Sequence, residues 1–143
     1  MNDRRRFLIL SLLICVAIVI VGTKAFRSGW FAPRRPLDLN GKPALLFFNV
    51  SRGCECQMVV SNNANAQIAS WSEQARHGIP VFKIDIERRP DLAEQYDVFR
   101  VPVLILLDGQ GRLMWKQDYS INDDLPLDLN QFELEIQFLY MQQ

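Results

Sequence analysis

Histidine is almost absent from this chain, and cysteine is scarce. His77 is the only histidine, and Cys15, Cys54 and Cys56 are the only cysteines in 143 residues. A structural zinc site takes four ligands, mostly from these two residue types. A closed zinc site within one chain is therefore not expected. The chain also lacks a basic surface interleaved with aromatic residues, which argues against a nucleic-acid partner. It has no internal repeat, which excludes a solenoid or a propeller. No small residue precedes Cys15, where Ile14 stands instead. The pattern of a lipid-modified cysteine is thus missing, and Cys15 reads as a passive residue of an apolar run.

The formal net charge of zero hides an asymmetry. Residues 1–35 carry Arg4, Arg5, Arg6, Lys24, Arg27, Arg34 and Arg35 against Asp3. Residues 42–143 carry nine basic and fourteen acidic side chains. Between the basic clusters lies an apolar run from Phe7 to Val21, with Ser11 and Cys15 as its only polar members. As a helix, residues 7–23 span roughly 25 Å, slightly less than a hydrocarbon core of about 30 Å. Snorkelling by Lys24 extends the span to Phe26. The expectation is a short basic tail (1–6), a transmembrane signal-anchor (7–26), a linker (27–41) and a folded domain (42–143). A cleaved signal peptide is the competing reading. Thr23-Lys24-Ala25 fits it poorly, because a lysine sits inside the cleavage site and the run is long. The short charged N-terminus favours a cytoplasmic N-terminus with the domain outside the cytoplasm, although Lys24, Arg27, Arg34 and Arg35 weigh against it. That side is oxidising, so a cysteine pair there would cycle through a disulfide. Trp30 and Phe31 are expected to lie at the membrane interface.

Pro33, Pro36 and Pro43 break regular structure in the linker, and Asn40-Gly41 signals a turn just before the domain. The apolar run Leu45–Val50 predicts a buried strand. Residues 55–76 predict a helix with Ile68, Trp71 and Ala75 on its core face, ended by His77-Gly78. Its middle, Ser61-Asn62-Asn63-Ala64-Asn65, is poor in helix formers and predicts a kink or loop. Residues 81–86 predict a second strand. Residues 90–96 predict a short helix with Pro90 in its first turn. Val103–Leu107 is continuously apolar, as in a strand covered on both faces. Asp108-Gly109-Gln110-Gly111 predicts a hairpin turn into a partner strand over residues 112–117. Residues 129–141 predict a final helix with Phe132, Ile136, Leu139 and Tyr140 facing the core. A right-handed crossover would make the first two strands parallel. The fold class is α/β, a mixed central sheet with helices on both faces.

Cys54 and Cys56 fall between the first strand and the first helix of the domain. At a helix N-terminus, free N–H groups and the dipole stabilise thiolate, the species that attacks disulfides and binds metal. Arg52 would lower a thiol pKa there, and Glu55 would raise it. A disulfide between residues two apart closes a small ring, and strained disulfides are the more oxidising ones. Two thiolates at this spacing also suit a soft ion such as Cu(I). The bland alternative is a pair of relic cysteines in a non-catalytic adaptor. Lys83 and Asp85 share a face of the second strand, where they form either an acid–base pair or a structural pair.

The segment Cys54-Glu55-Cys56-Gln57-Met58-Val59 is similar to the Cys-x-x-Cys-Lys-Met-Ile segment of the thioredoxin family, with one residue fewer between the cysteines. Val81-Phe82-Lys83-Ile84-Asp85-Ile86-Glu87 resembles that family's second core strand. Val101-Pro102-Val103 resembles its cis-proline and third core strand. The resemblance covers roughly residues 42–141. It implies a thioredoxin-like fold and a thiol–disulfide oxidoreductase acting on protein substrates, with Cys54 attacking, Cys56 resolving, and a separate redox partner recycling the pair. It implies that Val101 and Pro102 dock an extended substrate, and that no organic cofactor is needed. Two positions depart from the pattern. Gly53 stands where a tryptophan is usual, and Phe48 is aligned with the buried acid of the first strand.

Overall fold

The computed structural model describes residues 3–27, 37–117 and 120–141. The side chains of residues 3–8, 26 and 27 lie outside that description, as do Trp30, Phe31 and most of the linker. The chain divides into two compact units, Met1–Arg35 and Pro36–Gln143.

The first unit is one helix, α1 (Asp3–Arg27). Its described side chains from Ile9 to Val21 are exposed. The Thr23 hydroxyl donates back to the Ile20 carbonyl at 3.0 Å, the local way to satisfy a hydroxyl on an apolar helix. Among the described residues no helix is both long and apolar enough to cross a membrane. The expected anchor draws on Phe7, Leu8 and Phe26, which lie beyond the described side chains.

The second unit runs β1 (Ala44–Asn49), α2 (Glu55–Ser70), β2 (Val81–Asp85), α3 (Pro90–Gln95), β3 (Val103–Leu107), β4 (Leu113–Gln117), α4 (Leu129–Met141). The sheet order is β2-β1-β3-β4. β1 pairs with β2 in parallel, Phe47 opposite Lys83, and with β3 antiparallel, Phe48 opposite Val103. β3 pairs antiparallel with β4 through a bulge at Leu106/Leu107. The expected mixed sheet with helices on both faces is what forms.

β1 and β3 read as unbroken apolar runs because both of their faces are covered. Leu45, Phe47, Leu104 and Leu106 pack with Ala64 and Ile68 of α2 and Phe132, Ile136 and Leu139 of α4. Leu46, Phe48, Val103, Ile105 and Leu107 pack with Leu92 and Ala93 of α3. Phe47 and Phe48, successive residues, are each fully buried on opposite faces, and such burial stabilises by about 2–3 kcal/mol per ring. Tyr140, expected in the core, is instead 42% exposed and stacks near His77 with ring centroids 5.5 Å apart.

Two features of α2 depart from the sequence pattern. The asparagine-rich middle is uninterrupted helix. Its weak intrinsic propensity is overridden because its amides are tied to backbone around it. Asn63 Nδ2 donates to the Asp123 carbonyl, Asn65 Nδ2 to the Ser61 carbonyl, and Gln67 Nε2 to the Leu127 carbonyl. The helix also ends at Ser70, six residues early. Trp71 turns out with ψ 114 and is buried in the core, its indole N–H bonded to Glu133 at 2.8 Å. His77-Gly78 closes the following turns instead, both with positive φ.

Candidate functional site

β1 runs toward the cysteines, and β3 runs away from Pro102. Because Phe48 lies opposite Val103 in antiparallel pairing, the chain leaving β1 and the chain entering β3 emerge side by side at one end of the sheet. This is the end where the carboxyl termini of parallel strands create binding crevices in open α/β sheets. The order of elements thus brings Cys54, Cys56, Val101 and Pro102 to one sheet end.

Cys54 is the N-cap of α2, with extended φ −67 and ψ 161, and Cys56 lies in the first turn. Their sulfurs are 2.9 Å apart, and both thiols are exposed and free. The two are driven apart electrostatically. The Cys54 thiol is held below its ordinary range, first by the hydrogen bond from Cys56 and then by the Gln57 backbone N–H. Cys54 makes no side-chain cap hydrogen bond, so the Gln57 N–H acts on it as a nearby dipole. The Cys56 thiol is pushed up, chiefly because it is the partner that keeps the shared proton while Cys54 bears the charge. An attacking thiolate beside a protonated neighbour is the arrangement that stepwise thiol exchange uses. The neighbouring thiol and the backbone set this asymmetry, ahead of Arg52 and Glu55.

Gly53 has ordinary negative φ, and a Cβ added there would meet the end of the flexible Gln57 side chain at 2.5 Å.

The Val101–Pro102 peptide bond is cis. Val101 packs against the α3-side core, and Pro102 is buried immediately before β3. Phe99 and Arg100, just upstream, are exposed, Phe99 at 87%.

The buried polar residue at this end is Asn49, which sequence reasoning passed over. Phe48, aligned with the family's acid, faces α3; Asn49 faces α2 and donates to the Ser61 carbonyl at 3.2 Å. Its Oδ1 has no partner among the described residues. Asn49 lines a shallow groove of about 360 Å³ with Ser51, Met58, Asn62, Lys83 and Asp85. The available signal was a polar residue closing an apolar strand. Asp85 is held low first by a hydrogen bond from Ser51, then by the Glu87 N–H and Arg88. It is thereby a structural anchor of the loop before the cysteines, and Lys83 does not form an ion pair with it among the described residues.

Among the described residues no group of three or more His, Cys, Asp or Glu side chains is arranged to hold a metal ion. Cys54 and Cys56 offer at most a two-sulfur site.

No family model matches the sequence, and no curated protein matches it. Solved structures do overlap it. Thioredoxin 1 from Thermosipho africanus is 18% identical, covering 69% of this chain and 94% of that one, with a TM-score of 0.48. A mutant thioredoxin from Halobacterium salinarum is 19% identical, covering 70% and 76%, with a TM-score of 0.47. A disulphide isomerase from Xylella fastidiosa is 18% identical, covering 68% and 80%, with a TM-score of 0.44. The strand order, the cysteine pair after β1 and the cis-proline before β3 stand independently of those overlaps. The mixed four-stranded sheet with helices on both faces agrees with the thioredoxin-like fold expected from the sequence. That sheet end holds a pair of adjacent thiols.

Proposed function

We propose that this chain performs thiol–disulfide exchange on protein substrates. The observation that carries the reading is the contact between Cys54 and Cys56 at the start of α2, with one thiol pushed down and the other up. The Cys54 thiolate attacks one sulfur of a substrate disulfide. A mixed disulfide forms, and the second substrate sulfur leaves with the bond's electron pair and takes a proton from water. Cys56 then attacks the Cys54 sulfur, and the first substrate sulfur leaves with that bond's electron pair and takes up the proton that Cys56 gives up. The substrate gains two electrons and two protons, and the enzyme gains a Cys54–Cys56 disulfide. The reverse sequence oxidises a dithiol substrate. Val101 and Pro102 present an extended edge along which the substrate lies.

The small ring of a CxC disulfide favours the oxidant or isomerase direction. The apolar run and its flanking basic residues support a single-pass anchor over residues 7–26, with the N-terminus cytoplasmic and the domain on the outer side. The exposed apolar face of α1 and the back-bonded Thr23 hydroxyl are consistent with that placement.

The deciding measurement is the reduction potential of the cysteine pair in the full chain, in detergent, equilibrated with glutathione. A reversible two-electron transition well above about −270 mV, the value for thioredoxin, supports the oxidant or isomerase reading. A transition at or below it turns the direction toward reduction. Absence of a reversible disulfide overturns exchange and leaves Cu(I) binding through the pair, or an adaptor role.

A further inference from the structure

Phe99 is the most exposed large apolar side chain among the described residues, at 87%. It lies two residues before Val101, in the segment that enters β3 at the sheet end where β1 runs out toward the cysteines. Arg100 follows it and is also exposed, and Arg52, two residues before Cys54, is exposed on the adjoining segment. Neither arginine has an ion-pair partner among the described residues, whereas Arg88, Arg89 and Arg112 each pair with an aspartate. Both chain segments at the thiol end therefore carry an unengaged cation. Glu55 is the opposing charge next to the thiols. Asp85, at the end of β2, is already engaged by Ser51 and Arg88.

From this arrangement we infer that the site selects its substrate: an extended peptide bearing an acidic residue and a large apolar residue beside the reacting cysteine. This rests on the exchange reading above and adds a specificity to it. Phe99 supplies an apolar platform that gains by being covered. Arg52 and Arg100 supply positive potential, which acts mainly on the rate of encounter and on discrimination between partners. Exposed charges are screened within about 8–10 Å at ordinary salt, so the preference is electrostatic in its salt dependence as well as in its sign.

The test uses the reduced full chain in detergent and mixed disulfides of short peptides with 2-nitro-5-thiobenzoate. One peptide carries Glu and Phe flanking its cysteine, one Lys and Phe, and one Glu and Gly. Release of the chromophore gives the second-order rate constant. The expected result is faster exchange for Glu/Phe than for Lys/Phe by about tenfold at low ionic strength, with the ratio shrinking toward one as salt rises. In an Arg52→Glu, Arg100→Glu double variant that ratio inverts. In Phe99→Ser the advantage of Glu/Phe over Glu/Gly disappears, while the Glu-to-Lys ratio is kept. Because each readout is a ratio on one protein, a general loss of reactivity does not mimic it. Equal rates for all peptides, or ratios unmoved by these substitutions, overturn the specificity while leaving exchange standing. No reaction with any peptide, nor with free 5,5′-dithiobis(2-nitrobenzoate), overturns the exchange reading itself.

Discussion

The side chain of Asn49, the last residue of β1, donates a hydrogen bond across to the Ser61 carbonyl inside α2 at 3.2 Å. This bond ties the strand that leads to the cysteines to the helix that carries them. Its other polar atom, Oδ1, is buried and unpartnered among the described residues. The residue is thus half satisfied, and its replacements separate by chemistry. Asn49→Ala should lower stability by about 1–3 kcal/mol, from a lost hydrogen bond and a cavity. Asn49→Asp sets a carboxylate against the Ser61 carbonyl, so its folded-state pKa should rise above the unfolded value. The variant should then be most stable below the ordinary carboxylate range and lose stability as pH rises through the folded pKa. Thermal unfolding from pH 4 to 8 checks this; a pH-independent deficit would refute it.

The two thiols should titrate apart. Since the Cys54 pKa is lowered and the Cys56 pKa raised, alkylation at Cys54 should begin at lower pH than at Cys56. The Cys56 hydrogen bond is the largest cause of the Cys54 shift. Cys56→Ala should therefore move the Cys54 profile up toward an ordinary thiol, and Cys56→Ser, which keeps a donor, should move it less. Iodoacetamide rates against pH, read by mass spectrometry, decide the order.

Stepwise exchange predicts a trapped intermediate. In Cys56→Ser the first attack proceeds and the second does not, so mixed disulfides with substrate should accumulate on Cys54. Non-reducing gels should show them, and reductant should remove them. Cys54→Ser should show few. An adaptor that had lost the chemistry would trap nothing in either variant.

The β3–β4 turn should tolerate no side chain at Gly109. A Cβ there would collide with the Gly41 carbonyl oxygen, which is backbone and has no rotamer to yield. Gly109→Ala should cost about 1–3 kcal/mol, measured by denaturant unfolding. Gly53→Ala meets only the flexible end of Gln57 and should be nearly neutral in the same assay.

The hairpin depends on Asp108. Its carboxylate accepts from the Gln110 and Arg112 N–H groups at 2.9 and 2.8 Å and from Arg112 Nε at 2.7 Å. Burial pushes its pKa up, but these donors together hold it below the ordinary value. A depressed folded pKa means stability present above the unfolded pKa and lost as pH falls through the folded one. Asp108→Ala should remove that acid-side dependence and destabilise the domain by about 1–3 kcal/mol. A wild-type acid transition that persists unchanged in the variant would assign it to other groups.

Much of this protein was legible in its sequence for reasons that are local. Unbroken apolar runs marked β1 and β3 because a strand covered on both faces has no polar side to show. Pro90 opened α3, and Asp108-Gly109 turned the hairpin, because ring geometry and side-chain-to-backbone bonds act within a few residues. The position of Cys54 and Cys56 at the start of a helix followed from the same kind of signal. Tertiary structure decided the rest. It kept the Asn-rich middle of α2 helical, because Asn63 found the Asp123 carbonyl sixty residues away along the chain and Asn65 the Ser61 carbonyl within the helix. It ended α2 at Ser70, because burying Trp71 and bonding its indole to Glu133 outweighed another turn of helix. It turned Asn49 rather than Phe48 toward α2, since only the pairing of β1 with its neighbours fixes which face each residue serves. And it split the two thiols into an acidic and a reluctant one, because that difference depends on a 2.9 Å contact and the nearby Gln57 backbone, which spacing alone does not specify.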